Sequence, residues 1–249
     1  MPESLTNSIL ITGASSDLGV GLIRRLMDHA DAPTILAHSF SGGAKLEVLR
    51  AEFGERVRLI QADCGDAASV AAMAEYIVAE FGIPARFVHL PALRPSPDRF
   101  TKFNLERFRQ DMAVQVESAV ILLKKFLPKM AKLPGARIVF MSSSYTHGMP
   151  PKYTAMYTVA KYAQLGLMRS LAAEYASTEL RVNAVSPSMI ETQFLQDLPE
   201  LAVQMSASSN PQGRNARPED IFAAVELLLS PGAGYMTGID IPVAAGTCC

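Results

Sequence analysis

The chain of 249 residues carries 23 Lys+Arg against 24 Asp+Glu, a formal net charge of -1, which excludes the strongly basic footprint of a nucleic-acid or anionic-membrane binder. Hydrophobic residues make up 49% and charged residues 19%, which supplies a sizeable core and is unlike a disordered chain. Three cysteines (Cys64, Cys248, Cys249) exclude a disulfide framework, and with four histidines at no ligand spacing no metal site is expected.

The opening MPESLTNSIL has no basic region leading into a long apolar run. Apolar stretches such as Ala119–Leu123 fall far short of the roughly 20 residues that span a bilayer, so a cytoplasmic location without membrane contact is expected. The first predicted strand, Ser8–Thr12, runs straight into Thr12-Gly13-Ala14-Ser15-Ser16-Asp17-Leu18-Gly19-Val20-Gly21. A helix over Leu18–His29 follows, with Leu18, Leu22, Leu26, Ile23 and Met27 on one face. The pattern then continues with strand Thr34–Phe40, helix Ala44–Glu52, strand Val57–Gln61, helix Ala67–Phe81 and strand Arg86–Leu90. Helix Leu105–Lys132, strand Ala136–Ser142, helix Ala155–Ala176 and strand Leu180–Ser186 come next, then helix Pro218–Leu229 and strand Gly238–Val243. Strands separated by helices throughout predict one α/β domain over residues 1–249. Its fold is a Rossmann-type doubly wound parallel sheet of about seven strands with helices on both faces.

One stretch breaks the alternation. From about Glu191 to Arg217 the chain is polar and contains proline, with only a short helical piece around Leu198–Met205. It follows a strand whose carboxyl end faces the ligand crevice, so it is expected to be a substrate lid.

The glycine turn admits three readings. A P-loop needs a Gly-Lys-Ser/Thr ending that is absent. A nucleophile elbow needs a glycine where Asp17 stands. The strand–turn–helix context favours a dinucleotide pyrophosphate, which helix amides and bare glycine backbone receive closely. Asp17 would repel a phosphate unless it turns away, and a helix-capping role is expected for it. Further on, Ser142-Ser143-Ser144 close a strand, and Tyr157 and Lys161 lie four apart at the start of a helix, on one face. A phenol with an ordinary pKa of about 10 needs a nearby cation to exchange protons near neutrality, and Lys161 supplies one.

With these pieces in order, the chain resembles the classical short-chain dehydrogenases/reductases over nearly its whole length, and in particular 3-oxoacyl carrier-protein reductases. Besides the glycine turn, the resemblance is carried by Ala62-Asp63-Cys64, Ile138-Val139-Phe140-Met141-Ser142-Ser143, Tyr157-x-x-x-Lys161, Arg181-Val182-Asn183-Ala184-Val185-Ser186-Pro187, Pro218-Glu219-Asp220 and Tyr235-Met236-Thr237-Gly238. It implies a ketoreductase that moves a hydride between a nicotinamide and a carbonyl or secondary alcohol, a 3-oxoacyl thioester among the candidates. Tyr157 is then the acid/base, Lys161 tunes it and touches the ribose, and a serine positions the substrate oxygen. The strand end favours Ser143 for that serine, while the family's usual spacing back from the tyrosine favours Ser144. The cofactor is implied to lie along Gly13, Ser15, Ser16, Leu18 and Gly19 of the turn, His38 and Ser39, Asp63 and Cys64, and Pro91 and Ala92. Beyond these it meets Tyr157 and Lys161, then Pro187, Ser188, Ile190 and Thr192. Self-association as a homodimer or homotetramer is implied as well.

Three departures stand out. Asp17 replaces a family glycine; His89-Leu90-Pro91-Ala92 replaces Asn-Asn-Ala-Gly, losing asparagine ties between strands; and Gln115 replaces the helical asparagine of the catalytic tetrad. The alternative to an enzyme is a non-catalytic homologue kept for binding or assembly, but such a chain is expected to lose Tyr157 or Lys161 early. The second strand ends His38-Ser39-Phe40-Ser41 without the acid that holds an NAD ribose, so NADP is expected over NAD, although no arginine stands in the turn. His147 is expected to be a solvated loop residue, with substrate contact as the alternative. Met149, Met156 and Met189 either line an apolar pocket or fill gaps in the core.

Overall fold

The strand Ser8–Thr12 (β1) is apolar at consecutive positions and buried along its whole length, as a strand covered on both faces must be. In the computed structural model, which describes residues 7–247, it lies in a sheet of seven strands. The others are β2 (Thr34–Ser39), β3 (Val57–Gln61), β4 (Arg86–His89), β5 (Arg137–Met141), β6 (Arg181–Pro187) and β7 (Asp240–Val243). Every pair is parallel and the order is β3-β2-β1-β4-β5-β6-β7, as the alternation of strands and helices predicts. Between β1 and β4 the strand order reverses, and at this switch point such sheets open their ligand crevice.

Successive strand residues point to opposite faces and divide the core in two. Ile9, Ile11, Val88, Val139 and Val185 face helices α1 (Asp17–Met27), α2 (Ala44–Phe53) and α8 (Pro218–Leu229). Leu10, Leu36, Phe87, Ile138, Phe140 and Val182 face α3 (Ala67–Glu80), α5 (Ser118–Met130) and α6 (Ala155–Glu174). Each such side chain, fully buried, contributes about 1.5–3 kcal/mol.

The helix predicted over Leu105–Lys132 forms as an uninterrupted helical run from Leu105 to Met130, with a π turn over Ala113–Glu117 between α4 (Leu105–Met112) and α5; the buried Gln115 lies within that turn. The 191–217 segment is ordered and holds α7 (Glu200–Ser209), a few residues later and longer than the predicted piece. Its base is closed where Ile190 bridges Ala216, with Glu191 N donating to Ala216 O at 2.8 Å. Among the described residues no helix is long and apolar enough to cross a membrane, and no cluster of His, Cys, Asp or Glu is arranged to hold a metal. Cys64 is free and buried; Cys248 and Cys249 lie outside the described residues.

Candidate active site

The turn after β1 is built for close approach of backbone. Gly13 has φ +70°, and a Cβ there would stand 3.1 Å from Pro91 N; a Cβ on Gly19 would stand 2.6 Å from Ala14 O. Ser16, not Asp17, caps α1: its Oγ accepts from Gly19 N at 3.1 Å and donates to Gly13 O at 2.9 Å. Asp17 turns away from the turn. Its carboxylate accepts from Lys45 Nζ at 2.5 Å and from Gln193 N at 2.7 Å, tying α1 to α2 and to the 191–217 segment. Burial works against its charge, but these two donors outweigh it and hold the carboxyl below its ordinary range.

His38 lies beneath the turn with both ring nitrogens engaged. Nδ1 accepts from Gly13 N at 3.2 Å, which leaves Nε2 to donate to Ala62 O at 3.1 Å, and burial lowers its pKa. Asp63 is turned onto its own loop, where Oδ1 accepts from Gly65 N at 2.7 Å. Burial pushes the Cys64 thiol up to about 11, so it behaves as a small core residue. Pro187 is buried at the end of β6, Ser188 Oγ is buried without a hydrogen-bond partner, and Ile190 and Thr192 lead into the 191–217 segment. Pro91 is buried against Gly13, with Ala92 partly exposed beside it.

The lost asparagine tie is replaced. His89 is fully buried at the end of β4, paired with Thr12 of β1 across the switch point. Its Nδ1 is 2.8 Å from Thr12 Oγ1 and its Nε2 is 3.0 Å from Gln115 O, so one imidazole bridges β1, β4 and the π turn. Burial drives its pKa down to about 3, which keeps it neutral. The expectation that this tie disappears is thus corrected: leucine cannot make it, but the neighbouring histidine does.

Ser143, Tyr157 and Lys161 come together between the end of β5 and the start of α6. Ser143 is buried, its Oγ accepts from Tyr145 N at 3.3 Å, and its hydroxyl is near enough to the Tyr157 phenol to favour the phenolate. Ser144 instead begins the short turn that follows. Lys161, 2% exposed, donates to Met141 O at 2.7 Å, with its ammonium 5.6 Å from the centre of the Tyr157 ring. The lysine does not by itself lower the phenol pKa below its ordinary value. Burial outweighs the Ser143 hydroxyl and raises it, with Tyr145 and Asp111 adding to the rise. Burial also lowers Lys161 to about 8, which weakens the cation. Gln115 is fully buried and spends its amide Nε2 on Asp111 Oδ1 at 2.6 Å.

His147 is not a free loop residue: Nε2 lies 2.9 Å from Asp240 Oδ2, and Asp240 also accepts from Ser186 Oγ at 2.7 Å. Met156 is buried, whereas Met149 is 96% exposed. Lys45 and Asp111 were not among the predicted residues. Lys45 reaches the turn only through the start of α2, while Asp111 lies four residues before Gln115 and was open to a helix-face reading.

The carboxyl ends of β1 and β4 thus flank the switch point, with those of β2, β5 and β6 on the same edge of the parallel sheet. Bare glycine backbone, the start of α1 and the orphaned Ser188 hydroxyl fit a dinucleotide there. This fold and site define a class. Residues 13–247 match the family model described as enoyl-(acyl carrier protein) reductase, and the chain belongs to that family of short-chain dehydrogenases/reductases, an enzyme that uses a nicotinamide cofactor on alcohols or carbonyls. It is 32% identical over 244 residues to the 3-oxoacyl-[acyl-carrier-protein] reductase of Pseudomonas aeruginosa, covering 95% of each chain. It is 27% identical to a cis-4-hydroxycyclohexanecarboxylate dehydrogenase of Sinomonas cyclohexanicum, covering 95% of this chain and 94% of that one. Among solved structures, a 3-ketoacyl-(acyl-carrier-protein) reductase from Brucella melitensis complexed with NADH superimposes with TM-score 0.87 at 25% identity, covering 98% of each chain.

Proposed function

We propose that the chain is an NADP(H)-preferring ketoreductase in which Tyr157 exchanges the proton and Ser143 holds the substrate oxygen. The observation that carries this is the meeting of the Ser143 hydroxyl, the Tyr157 phenol and the Lys161 ammonium beside the glycine turn. When bound, the nicotinamide gives or takes the hydride. Ser143 donates to the carbonyl oxygen and orients it, and Tyr157 passes its phenolic proton to that oxygen as charge builds there. Lys161 stabilises the phenolate left behind, so its positive charge matters most in the transition state.

The cofactor preference rests on the end of β2. Ser39 is buried there and no acid follows, so nothing repels a 2′-phosphate, while Asp17 holds Lys45 next to the turn and so supplies the cation that Ser16 does not. Asp17 offsets part of that charge, which makes the preference modest. Similarity to a 3-oxoacyl-[acyl-carrier-protein] reductase supports a 3-oxoacyl thioester as substrate, and similarity to a cyclohexane-ring dehydrogenase supports a cyclic ketone. The 191–217 segment acts as the lid, held by the Asp17–Gln193 bond and by Arg94 Nη1 on Asp197 at 3.0 Å. The same reading places the enzyme in the cytoplasm as a homodimer or homotetramer; the exposed Val159 and Tyr162 on α6 and Tyr235 and Ile239 before β7 support self-association.

The test is steady-state oxidation of NADPH and NADH with a panel of 3-oxoacyl thioesters and cyclic ketones. Ketone-dependent turnover with a higher kcat/KM for NADPH is expected. A clear preference for NADH contradicts the cofactor reading, and no turnover with any ketone contradicts the activity.

A further inference from the structure

The connection from β5 to α6 carries Ser143 near its start, and only its first part is anchored. That part is the short turn Ser144–Thr146, closed by its own bonds. Ser143 O accepts from Thr146 N at 3.0 Å and from Thr146 Oγ1 at 2.8 Å, and Ser144 O accepts from His147 N at 3.0 Å. After His147 the chain runs exposed through Gly148 and Met149, and a Cβ on Gly148 would meet nothing within 4 Å. Local bonds of this kind fix the shape of a turn but not its place on the sheet.

Two contacts with the sheet set that place. At the near end Ser142 N donates to Val185 O of β6 at 2.8 Å. At the far end His147 Nε2 lies 2.9 Å from Asp240 Oδ2 on β7. A carboxylate offers only acceptors, so Nε2 carries the hydrogen of this bond. The Asp240 side chain is 3% exposed and is held in turn by Ser186 Oγ of β6, which is 2.7 Å from Oδ1 and 2.9 Å from Oδ2. Among the described residues no lysine or arginine pairs with this carboxylate, so the His147 ring is the partner that answers its burial.

Between the two ties stands Ser143. Its Oγ accepts from Tyr145 N at 3.3 Å, which occupies one lone pair and leaves the hydroxyl hydrogen to be donated elsewhere. The Tyr145 ring stands edge-on to Tyr157, with 5.8 Å between centres at 82°. The turn therefore sets the direction of the Ser143 hydroxyl and one wall of the Tyr157 phenol.

We propose that His147, through its bond to Asp240, is a positioning residue for the reaction: it straps the Ser143 turn to β6 and β7, so that the Ser143 hydroxyl is aimed before the substrate oxygen arrives. This inference rests on the role given to Ser143 above. A donor already in place stabilises developing charge better than one that must be ordered during the reaction, so slack in the turn is felt in kcat. The glycine turn is built by other elements, so cofactor binding is spared.

His147→Gln brings an amide nitrogen to about the place of Nε2 and keeps the bond, whereas His147→Leu removes the donor. In cofactor-free His147→Leu the backbone amides of residues 145–147 should exchange with solvent about tenfold faster than in the parent, with those of β5 and β6 unchanged. With NADPH and 3-oxobutanoyl-coenzyme A or cyclohexanone, kcat falls about tenfold while KM for NADPH stays within about twofold. His147→Gln stays within about threefold of the parent in both exchange and kcat. His147→Leu leaves Asp240 buried without that donor; should it fail to fold, His147→Leu/Asp240→Leu, which removes both partners, shows the same losses. Parent-like exchange in the leucine variant overturns the strap. Faster exchange with parent-like kcat overturns its bearing on Ser143, and an equal loss in His147→Gln overturns the role of the donor. Undiminished turnover in Ser143→Ala would instead overturn the assignment of Ser143, which the exchange rates do not depend on.

Discussion

Ser39 closes β2 with a buried hydroxyl at the position where relatives that bind NAD place an acid, and a single substitution there probes the cofactor directly. Ser39→Asp sets a carboxylate against a 2′-phosphate, and like charges so placed lower kcat/KM for NADPH by about ten- to a hundredfold. NADH should lose little, so the ratio of the two kcat/KM values inverts; an unchanged ratio means that Ser39 does not face the ribose. Gln115 gives a second residue-scale prediction. Gln115→Leu removes the 2.6 Å bond to Asp111 and leaves that carboxylate short of a donor. Turnover should fall about tenfold while the protein stays folded, since one lost hydrogen bond to a charge is worth about 1.5–3 kcal/mol. Kinetics beside a melting curve decides it, and parent-like turnover removes Gln115 from the machinery. At this scale, the residues legible in the sequence were those carried by local spacing: Gly13, Ser143, Tyr157 and Lys161. His89, Lys45 and Asp111 act through contacts made by other elements, and no short pattern in the chain announces such contacts. The capping role expected of Asp17 fell to its neighbour Ser16 because a carboxylate with Lys45 and the Gln193 amide in reach is better satisfied away from the turn.

At the scale of elements the strands were readable because each is a short apolar run bounded by polar residues or turns, and β1 and β3 begin and end where the sequence places them. The π turn between α4 and α5 was not. A π turn uses the same residue types as an α-helix, and here it is fixed from outside, by His89 and Gln164 on the Gln115 carbonyl. The 191–217 segment was recognised as an interruption, but its closure was hidden, since Gln193 N meets a carboxylate on α1 far away in the sequence. This contact predicts a measurable looseness. Asp17→Ala removes a solvent-exposed hydrogen bond, which screening reduces to about 1 kcal/mol, so the segment should open about fivefold more often. Trypsin cleavage after Arg214 should speed up by that factor in the folded protein, Arg217 being protected by the proline that follows it. Equal cleavage rates in parent and variant would show that Asp17 does not hold the segment.

The whole molecule registers the buried histidines as a dependence of stability on pH. His89 has a folded pKa of about 3 against an ordinary 6.5, and burial lowers His38 in the same direction. Between those two values the unfolded chain binds a proton that the native protein refuses, so the stabilisation is complete above about pH 6.5 and is lost as pH falls. Each pH unit below that point costs about 1.4 kcal/mol for His89, and His38 adds to the loss in the same direction. Denaturant unfolding at about pH 7 and pH 5.5 should show this drop, and His89→Gln should flatten the slope even if it lowers stability overall. A parent whose stability is level across that range does not bury His89 in its neutral form. On the proposed mechanism the sheet and its switch point bring the Tyr157 phenol to the substrate oxygen, and that is most directly tested by Tyr157→Phe. Turnover of a 3-oxoacyl thioester or cyclic ketone with NADPH should fall by about 100- to 10,000-fold, with NADPH affinity, read by fluorescence titration, within about threefold of the parent. Turnover close to that of the parent, with the cofactor still bound, would contradict the assignment of the proton to Tyr157.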